Sequence, residues 1–397
     1  MPLRFPRFLR SARTRRRELA DLAYLGADAR GCSQNRVSAL RAGGEAFPAM
    51  LAAIAAARRS IQLETYILRA DRIGTRFQAA LCERARAGVT VHLLYDAVGS
   101  FTLPAKFVAE LREAGVHCAE FRPVAPWRSR WGLNRRDHKK MLIVDGELAF
   151  VGGLNIGDEY CAPLDGGAGW HDSVAQIEGP AVRELAALFA ETWLDAGGDG
   201  LPPPPRAGVA APARGSVTVR VIANSGMVSR PRMRRAVLRA IRRAEKRVSI
   251  MNAYFIPDRR LRRELARAVA RGALVRVIVP SRSDLHPVYY ASRRLYPTLL
   301  RSGVRIFEWQ GAMMHAKLAV IDGVWSTIGS YNLDRRSFIH NLEVALLMID
   351  RELGAELERH FERDLEACNE ITLAQFDRRP FWQGLLERFW YALRFWL

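Results

Sequence analysis

Two stretches of this 397-residue chain carry the same spaced framework, and that repetition limits the fold more than any other feature. The first reads His138-Lys139-Lys140, an apolar run Met141–Val144, Asp145-Gly146, and then Gly152-Gly153-Leu154-Asn155. The second reads His315-Ala316-Lys317, Leu318–Ile321, Asp322-Gly323 and, at the same interval, Gly329-Ser330-Tyr331-Asn332. Such a framework matches a random window on the order of once in several million. Two matches therefore indicate one structural unit present twice.

The flanking sequence repeats as well. A helix over Phe47–Arg59 runs into a strand over Ser60–Ile67, and a helix around Thr75–Ala87 passes through Gly88 into the strand Val89–Tyr95. The second half matches this with a helix over Pro231–Lys246, started by Ser229 and Pro231, a strand over Arg247–Ile256, a helix over Arg259–Arg271 and a strand over Ala273–Val279. Leu111–Val116 and Leu300–Val304 correspond in the same way. Between the halves, Ala196–Gly215 contains four consecutive prolines and many glycines, the composition of a linker. The expected fold is α/β: a duplicated domain with mixed β-sheets flanked by helices, a pseudo-two-fold, and one site at the interface of the halves. The divisions are a basic arm (1–30), repeat 1 (31–195), the linker (196–215), repeat 2 (216–375) and a C-terminal amphipathic aromatic helix (376–397).

Within each framework the residues after the histidine alternate as in a strand, so His138 and Lys140 share a face, as do His315 and Lys317. Asp-Gly is a strong hairpin signal, so the return strand brings Asn155 or Asn332 back beside the histidine. A satisfied core histidine would not require a lysine beside it, because an unpaired buried ammonium is costly. A cleft holding two lysines and two asparagines suits an anion. Asp145 and Asp322 complete the motif and are grouped with its catalytic residues, although their turn positions point to bonding backbone amides. Ser330 could add a hydrogen bond to a bound ligand, where the first half has Gly153. No carboxylate cluster suits a divalent ion, so neither a metal nor another cofactor is expected.

Lys and Arg number 61 against 41 Asp and Glu, a formal net charge of +20. That excess attracts polyanions, whether nucleic acid or an anionic membrane surface. The five cysteines are widely spaced and suggest neither a disulfide framework nor a zinc site. No apolar stretch reaches the roughly 18 residues needed to span a bilayer. The C-terminal segment Phe381–Leu397 follows Pro380 and reads as a helix, with Trp382, Leu385, Leu386, Phe389, Trp390 and Leu393 largely on one side. Gln383, Glu387, Arg388 and Arg394 fall elsewhere. An interfacial membrane anchor fits this composition, and packing on the protein's own core is the alternative. The arm Arg4–Arg17 adds basic and apolar residues suited to an anionic leaflet.

The paired motifs resemble those of the phospholipase D superfamily. Gln62–Tyr66, Asp145–Asn155, Trp170-His171-Asp172, Ile177–Pro180 and Gly329–Ser337 are similar to bacterial cardiolipin synthases, and the lack of apolar spans is more like the B type. The resemblance implies one active site built from both motifs, with His138 as nucleophile, His315 as acid and base, and a phosphohistidine intermediate. Lys140, Lys317, Asn155 and Asn332 would cradle phosphate oxygens. Glu343 resembles the family's downstream carboxylate, Asp172 is its candidate counterpart in the first half, and His171 is either a pocket residue or a neighbour of Trp170. The implied reaction joins two phosphatidylglycerol molecules into cardiolipin with release of glycerol. Hydrolysis of phospholipids, or a nuclease of the same superfamily, is the alternative. The tail favours an anionic phospholipid partner over nucleic acid, with peripheral association on the cytoplasmic face of a bacterial inner membrane. Oligomeric state is left open.

Overall fold

A computed structural model describes residues 32–125, 127, 134–200, 214–224 and 232–395. The basic arm, most of the linker, Ser229 and Pro231, and the last two residues lie outside the described residues.

The first half contributes strands β1 (Cys32–Arg41), β2 (Ser60–Thr65), β3 (Thr90–Asp96), β4 (His117–Phe121), β5 (Met141–Val144), β6 (Leu148–Gly152) and β7 (Ser173–Glu178). The second contributes β8 (Val217–Ala223), β9 (Arg247–Asn252), β10 (Leu274–Pro280), β11 (Arg305–Trp309), β12 (Lys317–Ile321), β13 (Trp325–Gly329), β14 (Val344–Ile349) and β15 (Cys368–Ile371). Their order is β15-β11-β10-β9-β12-β13-β14-β8-β1-β7-β6-β5-β2-β3-β4. Read outward from the central antiparallel pair β1–β8, both halves have one topology, and β15 is an addition at one edge. This is the mixed, duplicated α/β architecture that the repeat predicts.

Local chemistry explains the pieces that matter for function. β2 and β3, like β9 and β10, run parallel and are joined by right-sized helical crossovers, Arg72–Arg86 and Arg259–Ala270. β5–β6 and β12–β13 are tight hairpins. Their central residues have positive φ throughout, 54° and 67° at Asp145-Gly146 and 55° and 63° at Asp322-Gly323. That is the requirement of a two-residue turn whose twist matches its strands.

The apolar core falls into three clusters. Two lie under the outer helices of each half. The third is shared: Met141, Ile143 and Val151 of the first half and Leu318, Val320 and Leu346 of the second pack with helices Ala181–Ala196 and Arg351–Leu365. Because side chains alternate along a strand, the motif strands send one face to their own helices and the other to the seam between the halves.

The middle residue of the first motif shows the same alternation. Lys139 points away from His138 and Lys140 and is fully buried, where its ammonium meets Glu64, Asp137 (2.8 Å) and the Thr192 hydroxyl (2.8 Å). A buried lysine with two carboxylates is an electrostatically satisfied unit, and in the second half Ala316 occupies the matching position.

The C-terminal helix spans Phe381–Ala392. One residue of the set read as polar lies on its docking face: Glu387 is fully buried and bonds the Arg379 guanidinium at 3.1 Å. Trp390 and Tyr391 pack against the second half's core. Phe381, Leu385, Phe389 and Leu393, one stripe at four-residue spacing, remain exposed together with Trp382 and Phe395. Among the described residues no helix is long and apolar enough to cross a membrane.

Candidate active site

The two motifs converge where the halves meet, and the backbone sets the meeting point. Just before β5, the His138 amide donates to the Leu342 carbonyl (2.9 Å) and the Leu342 amide donates back to Arg136 (2.8 Å). Just before β12, the His315 amide donates to the His171 carbonyl (2.7 Å), and the His171 amide donates to Met313 (2.9 Å). Each bridge carries a carboxylate one residue further along. Glu343 follows Leu342, and its Oε2 lies 3.0 Å from His138 Nδ1. Asp172 follows His171, and its Oδ2 lies 2.7 Å from His315 Nδ1. Each half's histidine is thus oriented by the other half's carboxylate. With Nδ1 engaged, Nε2 of each ring is the nitrogen left to face a ligand.

All four motif side chains are buried. Lys140 Nζ donates to the His138 carbonyl (2.6 Å), and Lys317 Nζ donates to the His315 carbonyl. Burial pulls the Lys140 ammonium down to about 7 and that of Lys317 down to about 8. Burial, then the charges of Lys140, Lys317 and His315, holds His138 well below the usual histidine range. His315 is lowered by burial and by Lys317, against an opposing pull from Asp172. Burial raises Glu343 to about 7. The site therefore concentrates cationic groups whose charge is costly until an anion arrives, and a bound phosphodiester would supply the missing counter-charge.

Asn155 Oδ1 accepts from the Ile67 amide (3.2 Å), and its Nδ2 donates to the Tyr160 hydroxyl (2.7 Å), which lies 3.4 Å from His315 Nδ1. Asn332 is buried, and its Oδ1 has no partner among the described residues. It is the less committed of the two amides.

The motif's grouping of its aspartates with the catalytic residues, and the expectation for Ser330, are corrected, whereas the amide bonding that the turn positions pointed to is found. Asp145 and Asp322 do not face the cleft. Asp145 accepts from the amides of Arg58, Arg59 and Ser60 (2.7–3.0 Å), and Asp322 accepts from those of Glu245, Lys246 and Arg247 (2.8–2.9 Å). Each closes the entry to β2 or β9 at the strand end opposite its lysine, which is structural work. Ser330 is not open to a ligand. Its hydroxyl donates to Glu343 and accepts from the Val344 amide (3.0 Å), fully buried. It holds the carboxylate that holds His138.

His171 belongs to the framework. Its Nε2 lies 3.0 Å from Asp364 Oδ2 and its ring stacks on Trp309, with centroids 4.8 Å apart. Sequence reasoning did not single out three aromatic residues that line the histidines. Tyr66 lies edge-on to His138 at 5.0 Å, with Lys140 5.0 Å from its ring centre, and Tyr160 and Tyr254 flank His315 at 5.7 and 6.3 Å. Tyr66 ends the segment Gln62–Tyr66 that is similar to cardiolipin synthases, but nothing in the spacing of Tyr160 or Tyr254 marks them. Among the described residues, no group of three or more His, Cys, Asp or Glu is arranged to hold a metal.

The fold and paired motifs define a phospholipase D-like protein with a duplicated domain. The family described as "Cardiolipin synthase, PLD-like domain" matches residues 50–193 and 237–365, and the chain belongs to it. It is 38% identical to cardiolipin synthase A of Pseudomonas fluorescens over 86% of this chain and 70% of the relative. It is 36% identical to cardiolipin synthase of Geobacillus kaustophilus over 87% of this chain and 69% of the relative. The Pseudomonas relative carries the A designation. A phosphatidylserine synthase of Haemophilus influenzae shares the fold, with a TM-score of 0.69 at 15% identity, over 96% of this chain and 99% of that one.

The asymmetry between Gly153 and Ser330 follows from the geometry. A Cβ at Gly153 would lie 2.4 Å from Asp172 Oδ1, so only glycine lets that carboxylate reach His315. Gly153→Ala should lower kcat by about 100-fold, as expected when the carboxylate that orients His315 is displaced, while the far-ultraviolet circular dichroism stays that of the wild type. Turnover within threefold of wild type would contradict this role.

Proposed function

We propose that the chain transfers a phosphatidyl group between two phosphatidylglycerol molecules, making cardiolipin and glycerol at the seam of its two repeats. The observation that carries this reading is the exchange of carboxylates: two histidines in one site, each fixed through Nδ1, beside two buried lysines. That arrangement suits displacement at phosphorus with a nucleophile on one side and a proton donor on the other. The domain divisions at 31–195 and 216–375 are part of the same proposal.

His138 is the nucleophile and His315 the acid and base. Burial and three neighbouring cations keep His138 neutral near pH 7, and its partner Glu343, itself raised to about 7, lends it little negative charge. His315 has Asp172 at 2.7 Å, whose pull toward the imidazolium opposes the lowering by burial and Lys317. In the first step His138 Nε2 bonds to phosphorus, the bond to the glycerol headgroup oxygen breaks, and His315 gives that oxygen its proton. In the second, a headgroup hydroxyl of another phosphatidylglycerol loses its proton to His315 and bonds to phosphorus, and the P–N bond breaks. Lys140, Lys317 and the Asn332 amide neutralise the non-bridging oxygens, and Asn155 acts with Tyr160.

The exposed apolar stripe Phe381, Leu385, Phe389 and Leu393, on a helix anchored by a buried Glu387, supports peripheral attachment to an anionic membrane. A bacterial inner membrane, reached from the cytoplasmic face, is the proposed location.

Incubation with phosphatidylglycerol vesicles should yield cardiolipin and glycerol in equal amounts. Phosphatidic acid as the main product would favour hydrolysis, and activity on DNA alone would refute a lipid substrate. His138→Ala and His315→Ala should each lose turnover by at least about a thousandfold.

The pH profile tests the assignment of roles. As the acid of the first step, His315 must be protonated, so the rate falls as pH rises through its pKa. Asp172 raises that pKa. Asp172→Asn should therefore move the falling limb of kcat/KM to lower pH, by about one unit or more. A limb that stays in place or moves up would reverse the assignment.

A further inference from the structure

A second cationic site lies beside the catalytic one. A cavity of about 570 Å³ opens between the first turn of the helix Arg259–Ala270, the segment that begins two residues after Asn332, and the end of the C-terminal helix. None of the motif histidines or lysines lines it. Five guanidinium groups do: Arg234, Arg259, Arg262, Arg335 and Arg394. Its two carboxylates are already engaged. Asp258 pairs with Arg234 and caps the helix through the Arg260 and Leu261 amides, and Asp334 accepts from the Ser337 amide (2.7 Å). Among the described residues no carboxylate forms an ion pair with Arg259, Arg262, Arg335 or Arg394.

The arginines are gathered by built contacts. Arg262 donates to the Pro257 carbonyl (2.8 Å) and the Tyr391 hydroxyl (3.4 Å). Arg394 stacks on both Tyr391 and Phe395 at 4.3 Å, and Arg335 lies 4.9 Å from the same Phe395 ring. Two guanidiniums held on one phenyl ring repel each other unless an anion sits between them. Apart from the Tyr391 hydroxyl, the rest of the lining is apolar: Ile256, Pro257, Phe338, Ile339 and Phe395, with the Tyr391 ring. A phosphate flanked by hydrocarbon matches both halves of this lining.

We propose that this cavity binds a second anionic phospholipid, its phosphodiester on Arg262, Arg335 and Arg394 and its acyl portion along Phe338, Ile339 and Phe395. The proposal rests on the phospholipid reading of the catalytic site and adds a separate seat for that class of lipid. It also gives Arg394 and Phe395, just past the end of the amphipathic helix, a headgroup and an acyl contact respectively besides insertion.

The test uses the full chain carrying His138→Ala, so that no turnover intervenes, titrated with soluble dihexanoyl phosphatidylglycerol by calorimetry. Two binding events per chain are expected. Adding Arg262→Gln and Arg394→Gln should weaken one of them about tenfold or more, the loss typical of a charge-assisted contact, and leave the other. Two unchanged events would overturn the proposal. If that variant does not fold, the exposed pair Arg259→Gln and Arg335→Gln gives the same discrimination. Inorganic phosphate displacing the second event at the concentration of the lipid would overturn the acyl part and leave a phosphate site. If wild-type protein makes no cardiolipin yet the arginine-sensitive event persists, the catalytic reading fails and the second seat stands.

Discussion

Two short backbone bridges between the repeats determine everything the site does. His138 pairs with Leu342 and His315 with His171, and in each case the next residue of the partner half carries the carboxylate that meets the imidazole. Neither repeat alone supplies both a motif histidine and the carboxylate that orients it. Duplication alone would give two half-sites; the seam makes them one. The large apolar core shared by the inner faces of the two halves is what keeps these bridges in register, since packed interiors resist small displacements.

The same seam explains the electrostatics. Two lysines and two histidines are buried at one point with the carboxylates Asp172 and Glu343. Glu343 is raised to about 7, so it supplies less negative charge than its formal count suggests. Such a site is poised for an anion and is costly without one. The outer parts of each motif offset that cost by rigidity: Asp145 and Asp322 tie each hairpin to the start of the neighbouring strand with three amide bonds apiece, and the Lys139 network anchors the first motif from behind.

Much of this was legible in the sequence because it is local or repeated. The Asp-Gly hairpins, the alternation that turns His and Lys the same way, and the parallel units beside them all follow from spacing. The pairing of Glu343 and Asp172 with histidines was also within reach, but the exchange between halves was not, because no local pattern encodes which strand lies across a seam. Ser330 was misread for a related reason. A hydroxyl two residues before Asn332 looks available, and only the buried Glu343 next to it shows that it is taken. The C-terminal helix reversed expectation at Glu387, where Arg379 makes burial of a carboxylate tolerable.

The central claim is that one seam unites a nucleophilic His138 with an acidic His315. A phosphodiester with a nitrophenol leaving group tests it most directly, because such a group departs without a proton donor. Rapid mixing should give His315→Ala a burst of about one nitrophenolate per chain, since attack by His138 needs no acid there, and should give His138→Ala none. A burst in His138→Ala, or its absence from both variants while the wild type reacts, would contradict the account.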